Sequence, residues 1–166
     1  AIAFKDHIET YLRSPLVIAT TTLVFGILLF VADRMGSRSR DESTITWKDA
    51  VFIGIGQAMA LIPGTSRSGA TMTAALFLGL NREAAARFSF LLSVPIIVLA
   101  SLALTADAAS SGLAVDWLSL GLGVVLSAIS AYVCITLFLK LIQQLGMLPF
   151  VIYRILLSLF LFAIFL

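Results

Sequence analysis

Long apolar stretches alternate with short polar segments along this chain. Four stretches approach the length of a membrane crossing: residues 15–32, 84–106, 117–139 and 145–166. A helix rises about 1.5 Å per residue and the hydrocarbon core is about 30 Å thick, so roughly 20 apolar residues make one spanning helix. The pattern therefore predicts four transmembrane helices.

A fifth apolar stretch, residues 50–80, is interrupted in its middle by Pro63 and Gly64. Its halves, residues 50–62 and 70–80, would each be a helix only about 20 Å long, so neither half crosses alone. We expect a re-entrant helical hairpin that turns near mid-membrane and leaves on the side where it entered. Irregular backbone at that depth must be buried in protein or line a polar cavity.

The composition favours lipid as the surroundings. Of the 166 residues, 60% are hydrophobic and 12% are charged, and the mean hydropathy is +1.08. Soluble domains carry about 25% charged residues, so this chain has too few to cover a water-facing surface. Residues 1–166 are therefore predicted to form a single all-α integral membrane domain with four spanning helices and one re-entrant hairpin. No continuous basic face is present for nucleic acid.

The charged residues predict an orientation. Basic residues gather in segments 34–48 and 82–87 and at Lys140, and the positive-inside rule places these segments in the cytoplasm. The loop over residues 105–116 holds two aspartates and neither lysine nor arginine. This loop and both chain ends are predicted to lie on the outer face. Two full spans in place of the hairpin would give the same orientation, so the number of membrane crossings does not decide between a hairpin and two spans.

The chemistry is concentrated at the interruption, in residues 63–71, which read Pro-Gly-Thr-Ser-Arg-Ser-Gly-Ala-Thr. Gly64 permits a sharp turn, and Ser66 or Ser68 can cap the second half-helix. Free amides and the dipole at a helix start attract anions. Arg67, the only charged residue between positions 50 and 81, adds a planar fork that matches phosphate oxygens. With the hydroxyls of Thr65 and Thr71 as further donors, the segment predicts a phosphate site.

A purely structural role is the alternative for Arg67, which would then reach the interface or pair with a carboxylate while the serines cap the helix. An arginine at the centre of a membrane helix costs at least about 2.5 kcal/mol on insertion scales, and charges at such depth usually serve function. The functional interpretation is therefore preferred. Cys134 and His7 are the only cysteine and histidine, so no disulfide and no complete Ser-His-Asp triad is expected within the chain.

Residues 57–71, Gln-Ala-Met-Ala-Leu-Ile followed by the nine residues above, resemble the second signature of the bacterial undecaprenyl-diphosphate phosphatases of the bacitracin-resistance type. Residues 88–95 and 148–154 agree with the same family, in order along the chain. The resemblance implies an enzyme of the bacterial cytoplasmic (inner) membrane that removes the terminal phosphate of undecaprenyl diphosphate. The product, undecaprenyl phosphate, is the carrier lipid of peptidoglycan synthesis. The family fold is an inverted repeat with a re-entrant hairpin in each half.

The resemblance also implies roles for individual residues. Arg67 clamps the diphosphate, and Ser66 and Thr71 complete the catalytic set. The substrate-binding residues are Gly64, Thr65, Ser68, Gly69 and the supporting Gln57. A divalent cation, Mg²⁺ or Ca²⁺, assists the family's reaction.

One family feature is not found in this chain: the first signature, with its paired glutamates and a Pro-Val-Ser-Ser-Thr-Gly-His segment. The family places its metal-linked carboxylates, its histidine and a candidate nucleophilic serine there. We therefore expect the chain to be the C-terminal part of the enzyme. Its partner would be an N-terminal segment with the glutamate-rich motif, and the cation ligands would lie outside this chain. Ser66 is a conceivable nucleophile, but no base lies beside it in sequence.

A transporter or flippase for an anionic or polyprenyl-phosphate lipid is the alternative function. Transporters also use inverted repeats and broken helices whose starts face an anionic substrate. Both readings need Arg67, and they differ in whether phosphate is released. A structural membrane subunit, the third reading, predicts that Arg67 is dispensable.

Overall fold

The computed structural model describes residues 14–110 and 116–166. Among them lie six α-helices: α1 Pro15–Met35, α2 Trp47–Ala58, α3 Arg67–Phe77, α4 Arg82–Ser110, α5 Trp117–Leu145 and α6 Leu148–Phe165. Two short 3-10 turns, Glu42–Thr44 and Met59–Leu61, complete the regular helical structure of these residues. Helices α1, α4, α5 and α6 are long and apolar enough to cross a membrane. The prediction of an all-α chain with four such helices is confirmed.

Several helix ends differ from the predicted limits, and local capping gives the reason. Helix α5 continues past residue 139 to Leu145, where Gly146 ends it with a φ of +70°. Helix α6 consequently begins at Leu148 and not at residue 145, with a proline in its first turn. Helix α4 begins at Arg82, since the Asn81 side chain accepts the Ala84 amide at 2.8 Å.

Helices α2 and α3 form a hairpin. They contain 12 and 11 residues, which corresponds to about 18 and 17 Å, and they pack against each other. At the open end the chain returns to the point where it left. The Arg40 amide donates to Gly79 O at 3.1 Å, and the Asn81 amide donates to Arg40 O at 2.7 Å. The entry and the exit of the hairpin are therefore hydrogen-bonded to each other.

Arg40 also fixes the start of α2. Its guanidinium donates to Asp49 Oδ2 at 2.6 Å and to Leu78 O at 3.0 Å. Asp49 and Thr46 form a capping box, which starts α2 at Trp47, ahead of the predicted residue 50. The hydrogen bond from Arg40, and then those from Thr46, hold the pKa of the Asp49 carboxyl well below its usual range. The pair is therefore charged at neutral pH.

Helix α3 lies at the centre of the packing, in contact with α1, α2 and α4, while α1 also packs along α6. The buried positions of α3 include Ala70, Ala74 and Ala75, whose small side chains let neighbouring helices approach closely. In α5, by contrast, only Ile142 is buried by the rest of the described chain. The exposed apolar surface of α5 and of the later part of α4 is suited to lipid.

An ion pair joins the basic ends of the helices. Arg82 donates from Nε to Asp33 Oδ1 at 2.6 Å and from Nη2 to Asp33 Oδ2 at 2.8 Å, a bidentate arrangement. Gly146 lies against this guanidinium, where an added Cβ would be 2.7 Å from Arg82 Cζ. The end of α1, the start of α4 and the α5–α6 turn therefore meet at one end of the bundle.

The turn between α2 and α3 is pressed against α1 at Gly64. This glycine has a φ of +89°, and a Cβ there would lie 2.2 Å from Thr21 Oγ1 and 2.6 Å from Ile18 O. Both the backbone conformation and the close approach require a residue without a side chain.

We predict that Gly64→Ala lowers the free energy of unfolding by about 2 kcal/mol or more, because it combines a left-handed φ with a backbone clash. Gly54→Ala is the matched control: Gly54 lies in α2 with open space around its Cα. Alanine there should leave stability unchanged or raise it by up to about 1 kcal/mol. Thermal unfolding of both variants in detergent measures the difference, and equal midpoints would contradict the packing role of Gly64.

Candidate functional site

The start of α3 carries the predicted anion-binding features. Ser66 is the N-cap, with its Oγ accepting the Gly69 amide at 3.3 Å, so the helix begins at Arg67 and not at the predicted residue 70. Ser66 adopts a φ of +64°, which is uncommon for a residue with a side chain and is typical of functional turns. Among the described residues, the amides of Arg67 and Ser68 have no hydrogen-bond acceptor. They are available to an anion.

The carbonyls of the preceding turn are all bonded to α1 and α6. Pro63 O accepts from Thr21 Oγ1 at 2.6 Å, and Gly64 O accepts from Thr22 Oγ1 at 3.1 Å. Arg154 Nη2 donates to Gly64 O at 2.9 Å and to Thr65 O at 3.1 Å. The turn therefore has its acceptors occupied by protein donors, while donors at the start of α3 stay open.

Arg154 is a site residue that the sequence reasoning missed. It appeared there only as the last residue of the stretch 148–154, with no role assigned. Its side chain is buried, and its Nε donates to Thr22 O at 3.3 Å. Within the described residues it has no carboxylate partner. The available signal was a lone arginine in an apolar spanning stretch, which is the same signal that identified Arg67.

Two cavities flank the start of α3 and share Ser68. The Arg67 cavity, about 240 Å³, is lined by Arg67, Ser68, Ser89, Phe90 and Ser93. The Arg154 cavity, about 190 Å³, is lined by Ser66, Ser68, Gly69, Tyr153 and Arg154 together with Leu29, Met72, Phe138, Met147 and Phe150. Each cavity thus combines one arginine with the same helix start.

The electrostatics of both cavities favour an anion. The Arg67 side chain is exposed, and over residues 14–110 and 116–166 it has no ion-pair partner. Neither cavity is lined by an aspartate or a glutamate. Two guanidinium groups and a helix start with uncompensated charge together attract phosphate oxygens.

Helix α4 supplies hydroxyls that the sequence reasoning did not assign. Ser89 and Ser93 lie one turn apart and line the Arg67 cavity. Thr71 is fully buried, and its Oγ1 lies 2.5 Å from Ser89 Oγ and 3.0 Å from Arg67 O. Thr71 therefore supports the first turn of α3 from behind and does not line either cavity.

Gln57 and Thr65 also line neither cavity. Gln57 Oε1 and Thr65 Oγ1 are buried, and neither has a hydrogen-bond partner among the described residues. Thr65 is fully buried, so its hydroxyl does not face a ligand in this arrangement. The roles expected for these two residues stay predictions.

Comparison with known proteins identifies the family of this chain. Residues 1–160 match the family model described as Bacitracin resistance protein BacA. The chain belongs to the BacA family. The match includes the α2–α3 hairpin, both cavities and most of α6.

Three curated relatives of the BacA-family chain are named undecaprenyl-diphosphatases. That of Stutzerimonas stutzeri (strain A1501), "Undecaprenyl-diphosphatase 2", is 59% identical over 99% of this chain and 62% of its own length. That of Teredinibacter turnerae is 60% identical over 97% of this chain and 61% of its own. "Undecaprenyl-diphosphatase 1" of Pseudoalteromonas translucida is 57% identical over 95% of this chain and 59% of its own length. The chain spans about three-fifths of the length of these relatives.

The described residues of this BacA-family chain do not fit a divalent cation. Over residues 14–110 and 116–166, no three His, Cys, Asp or Glu side chains come together as a metal site. The carboxylates of Asp33 and Asp49 are engaged by arginines at the basic end, and both cavities already contain a guanidinium. His7 lies outside the described residues. The cation implied by the family resemblance stays a prediction.

We predict that Arg154→Met lowers the free energy of unfolding by at least about 2 kcal/mol, because the carbonyls of Thr22, Gly64 and Thr65 each lose a hydrogen bond from a charged donor. Arg34→Met is the matched control, since Arg34 is exposed on α1 and a surface change of this kind stays within about 0.5 kcal/mol. Arg154→Lys keeps the charge but loses the planar fork, and it should recover only part of the loss. Thermal unfolding in detergent measures all three, and an Arg154→Met midpoint equal to wild type would contradict this role.

Proposed function

We propose that this chain carries the phosphate-binding part of an integral membrane phosphatase that removes the terminal phosphate of undecaprenyl diphosphate. The observation that carries the proposal is the pair of arginine-containing cavities that share Ser68 at the start of α3. Membership of the BacA family and the names of the relatives support this substrate. The product, undecaprenyl phosphate, would return to peptidoglycan synthesis in the bacterial cytoplasmic membrane.

The α2–α3 hairpin is, in this proposal, re-entrant. Its bonded entry and exit and its short helices support a path that returns to one membrane face. Helix α3 runs 11 residues from Arg67 to Phe77, so Arg67 lies about 15 Å from the hairpin base, half of a hydrocarbon core of about 30 Å. In the inverted repeat proposed for the whole enzyme, this hairpin would be one of two.

The proposed orientation follows the positive-inside rule. The basic end, where Arg82 meets Asp33 and the α5–α6 turn, would lie in the cytoplasm. The end of α6 and the start of α5 would then lie on the outer face. The predicted outer position of the N-terminus concerns residues outside the described range.

In the proposed reaction, an oxygen nucleophile forms a bond to the terminal phosphorus while the anhydride P–O bond breaks and the lipid phosphate leaves. Charge on the transferring group must be neutralised, and protein donors placed for this are the main catalytic contribution in phosphoryl transfer. Arg67 and the open amides at the start of α3 would supply it, and Ser68, Ser89 and Ser93 would orient the oxygens. No base is assigned among the described residues.

Two further components belong to the proposal. A divalent cation, Mg²⁺ or Ca²⁺, would when bound neutralise phosphoryl oxygens, with ligands from outside the described residues. A glutamate-rich segment of the enzyme would provide those ligands. The steps assigned to this chain are binding and charge neutralisation, and none passes through the cation.

We predict that Arg67→Ala lowers phosphate release from undecaprenyl diphosphate by about 100-fold or more, as expected for loss of a donor to developing charge. Arg67→Lys should remain impaired, because an ammonium does not reproduce the bidentate fork. The thermal midpoint should stay unchanged, since Arg67 is exposed. Arg34→Ala, which removes another exposed arginine, is the control and should keep full activity.

A second assay separates hydrolysis from transport. Labelled undecaprenyl diphosphate in vesicles containing the purified full-length enzyme should release inorganic phosphate. Movement of intact lipid across the vesicle membrane with no phosphate released would exclude the phosphatase and favour a flippase. Full activity in Arg67→Ala would instead favour the structural subunit.

A further inference from the structure

An apolar groove opens beside the Arg67 cavity, where α4 faces α5. The α4–α5 groove has a volume of about 510 Å³ and is lined by Glu42, Ile45, Arg87, Phe88, Phe90, Leu91, Ile135 and Leu139. Phe90 also lines the Arg67 cavity. One aromatic side chain therefore forms a wall of both spaces.

The polarity changes sharply across Phe90. On one side the lining consists of Arg67 and three serines, and on the other it is formed mainly by hydrocarbon side chains such as Leu91, Ile135 and Leu139. The Phe90 ring packs edge-on against Phe138 with centroids 5.5 Å apart. Phe90, supported by Phe138, thus lies between a polar cavity and an apolar groove.

Arg87 and Glu42, the charged residues that line the groove, are paired with each other, and this favours an occupant whose anionic group lies elsewhere. Arg87 donates to Glu42 Oε1 at 3.1 Å and also pairs with Glu83. A phospholipid with its headgroup at Arg87 would have to compete with two carboxylates. A molecule whose anionic head lies on the Arg67 side of Phe90 needs no such exchange.

We infer that the α4–α5 groove binds the part of the polyprenyl chain that follows the diphosphate, which passes Phe90 on leaving the Arg67 cavity. The inference rests on the proposed function and adds the path of the lipid chain. The groove volume falls within the range of about 300–1,000 Å³ that holds small-molecule ligands. Because the polyprenyl chain leaves lipid and not water, the groove would add affinity through close packing contacts, in addition to the phosphate contacts.

The test is a bulky side chain placed in the groove. Ile135→Trp should raise the KM for undecaprenyl diphosphate at least about tenfold, an effect of about 1.4 kcal/mol, and should leave kcat within about twofold. The inhibition constant of a one-isoprene diphosphate, which is too short to pass Phe90, should stay unchanged. Leu137→Trp is the matched control, because Leu137 is exposed on α5 and does not line the groove. It should behave as wild type.

A second variant keeps the inference testable if Ile135→Trp does not fold. Leu139→Ala removes hydrocarbon from the groove without adding bulk and should raise the KM for the long substrate in the same direction, again with an unchanged inhibition constant. Unaltered KM in both variants, or equal effects on the long substrate and the short inhibitor, would overturn the inference and leave the phosphatase intact. Absence of hydrolysis by the wild-type full-length enzyme would overturn the proposed function itself, and the inference with it.

Discussion

A hydrocarbon core offers no hydrogen-bond partner to an open backbone, so a turn at membrane depth must find its partners within the protein. In the proposed re-entrant path, the turn before α3 would lie at such a depth, and Thr21, Thr22 and Arg154 donate to the carbonyls of residues 63–65. These donors come from α1 and α6, and the two helices are themselves joined where Ser158 Oγ donates to Ala19 O at 2.8 Å. Hydrogen bonds to the carbonyls of residues 63–65 thus join α1, α6 and the hairpin.

The same arrangement gives the site its polarity. Because the carbonyls are bonded to neighbouring helices, the atoms left open around the start of α3 are donors: the amides of Arg67 and Ser68 and the Arg67 guanidinium. Arg154 has a double effect, since it stabilises the turn and places a second positive charge beside the Arg154 cavity. Structural support of the turn and a positive charge at the Arg154 cavity are therefore provided by one residue.

The sequence was sufficient for the features that depend on local pattern. Lengths of apolar runs predicted the four long helices, and Pro63-Gly64 predicted the break between two short ones. Contacts between distant residues were not predictable in this way. Arg154 lies 90 residues from Gly64 in the chain, and Thr71 meets Ser89 across two helices. A local pattern marks Arg154 as a lone arginine in an apolar stretch, but it gives neither the hydrogen bonds of Arg154 to the turn nor the burial of Thr71. The observed helix starts differ from the predicted ones for a related reason. Ser66 and the Thr46–Asp49 capping box set the starts of α3 and α2 through side-chain hydrogen bonds, which the lengths of apolar runs do not indicate.

The hydrogen bonds at the base of the hairpin have a consequence for the topology of the rest of the protein. Because Arg40 is hydrogen-bonded to residues 79 and 81, the chain enters and leaves residues 41–78 at one place. In the proposed re-entrant path, a change in the length of α2 and α3 would therefore leave the direction of every later helix unaltered. The proposed binding motif would then lie in a segment that adds no membrane crossing.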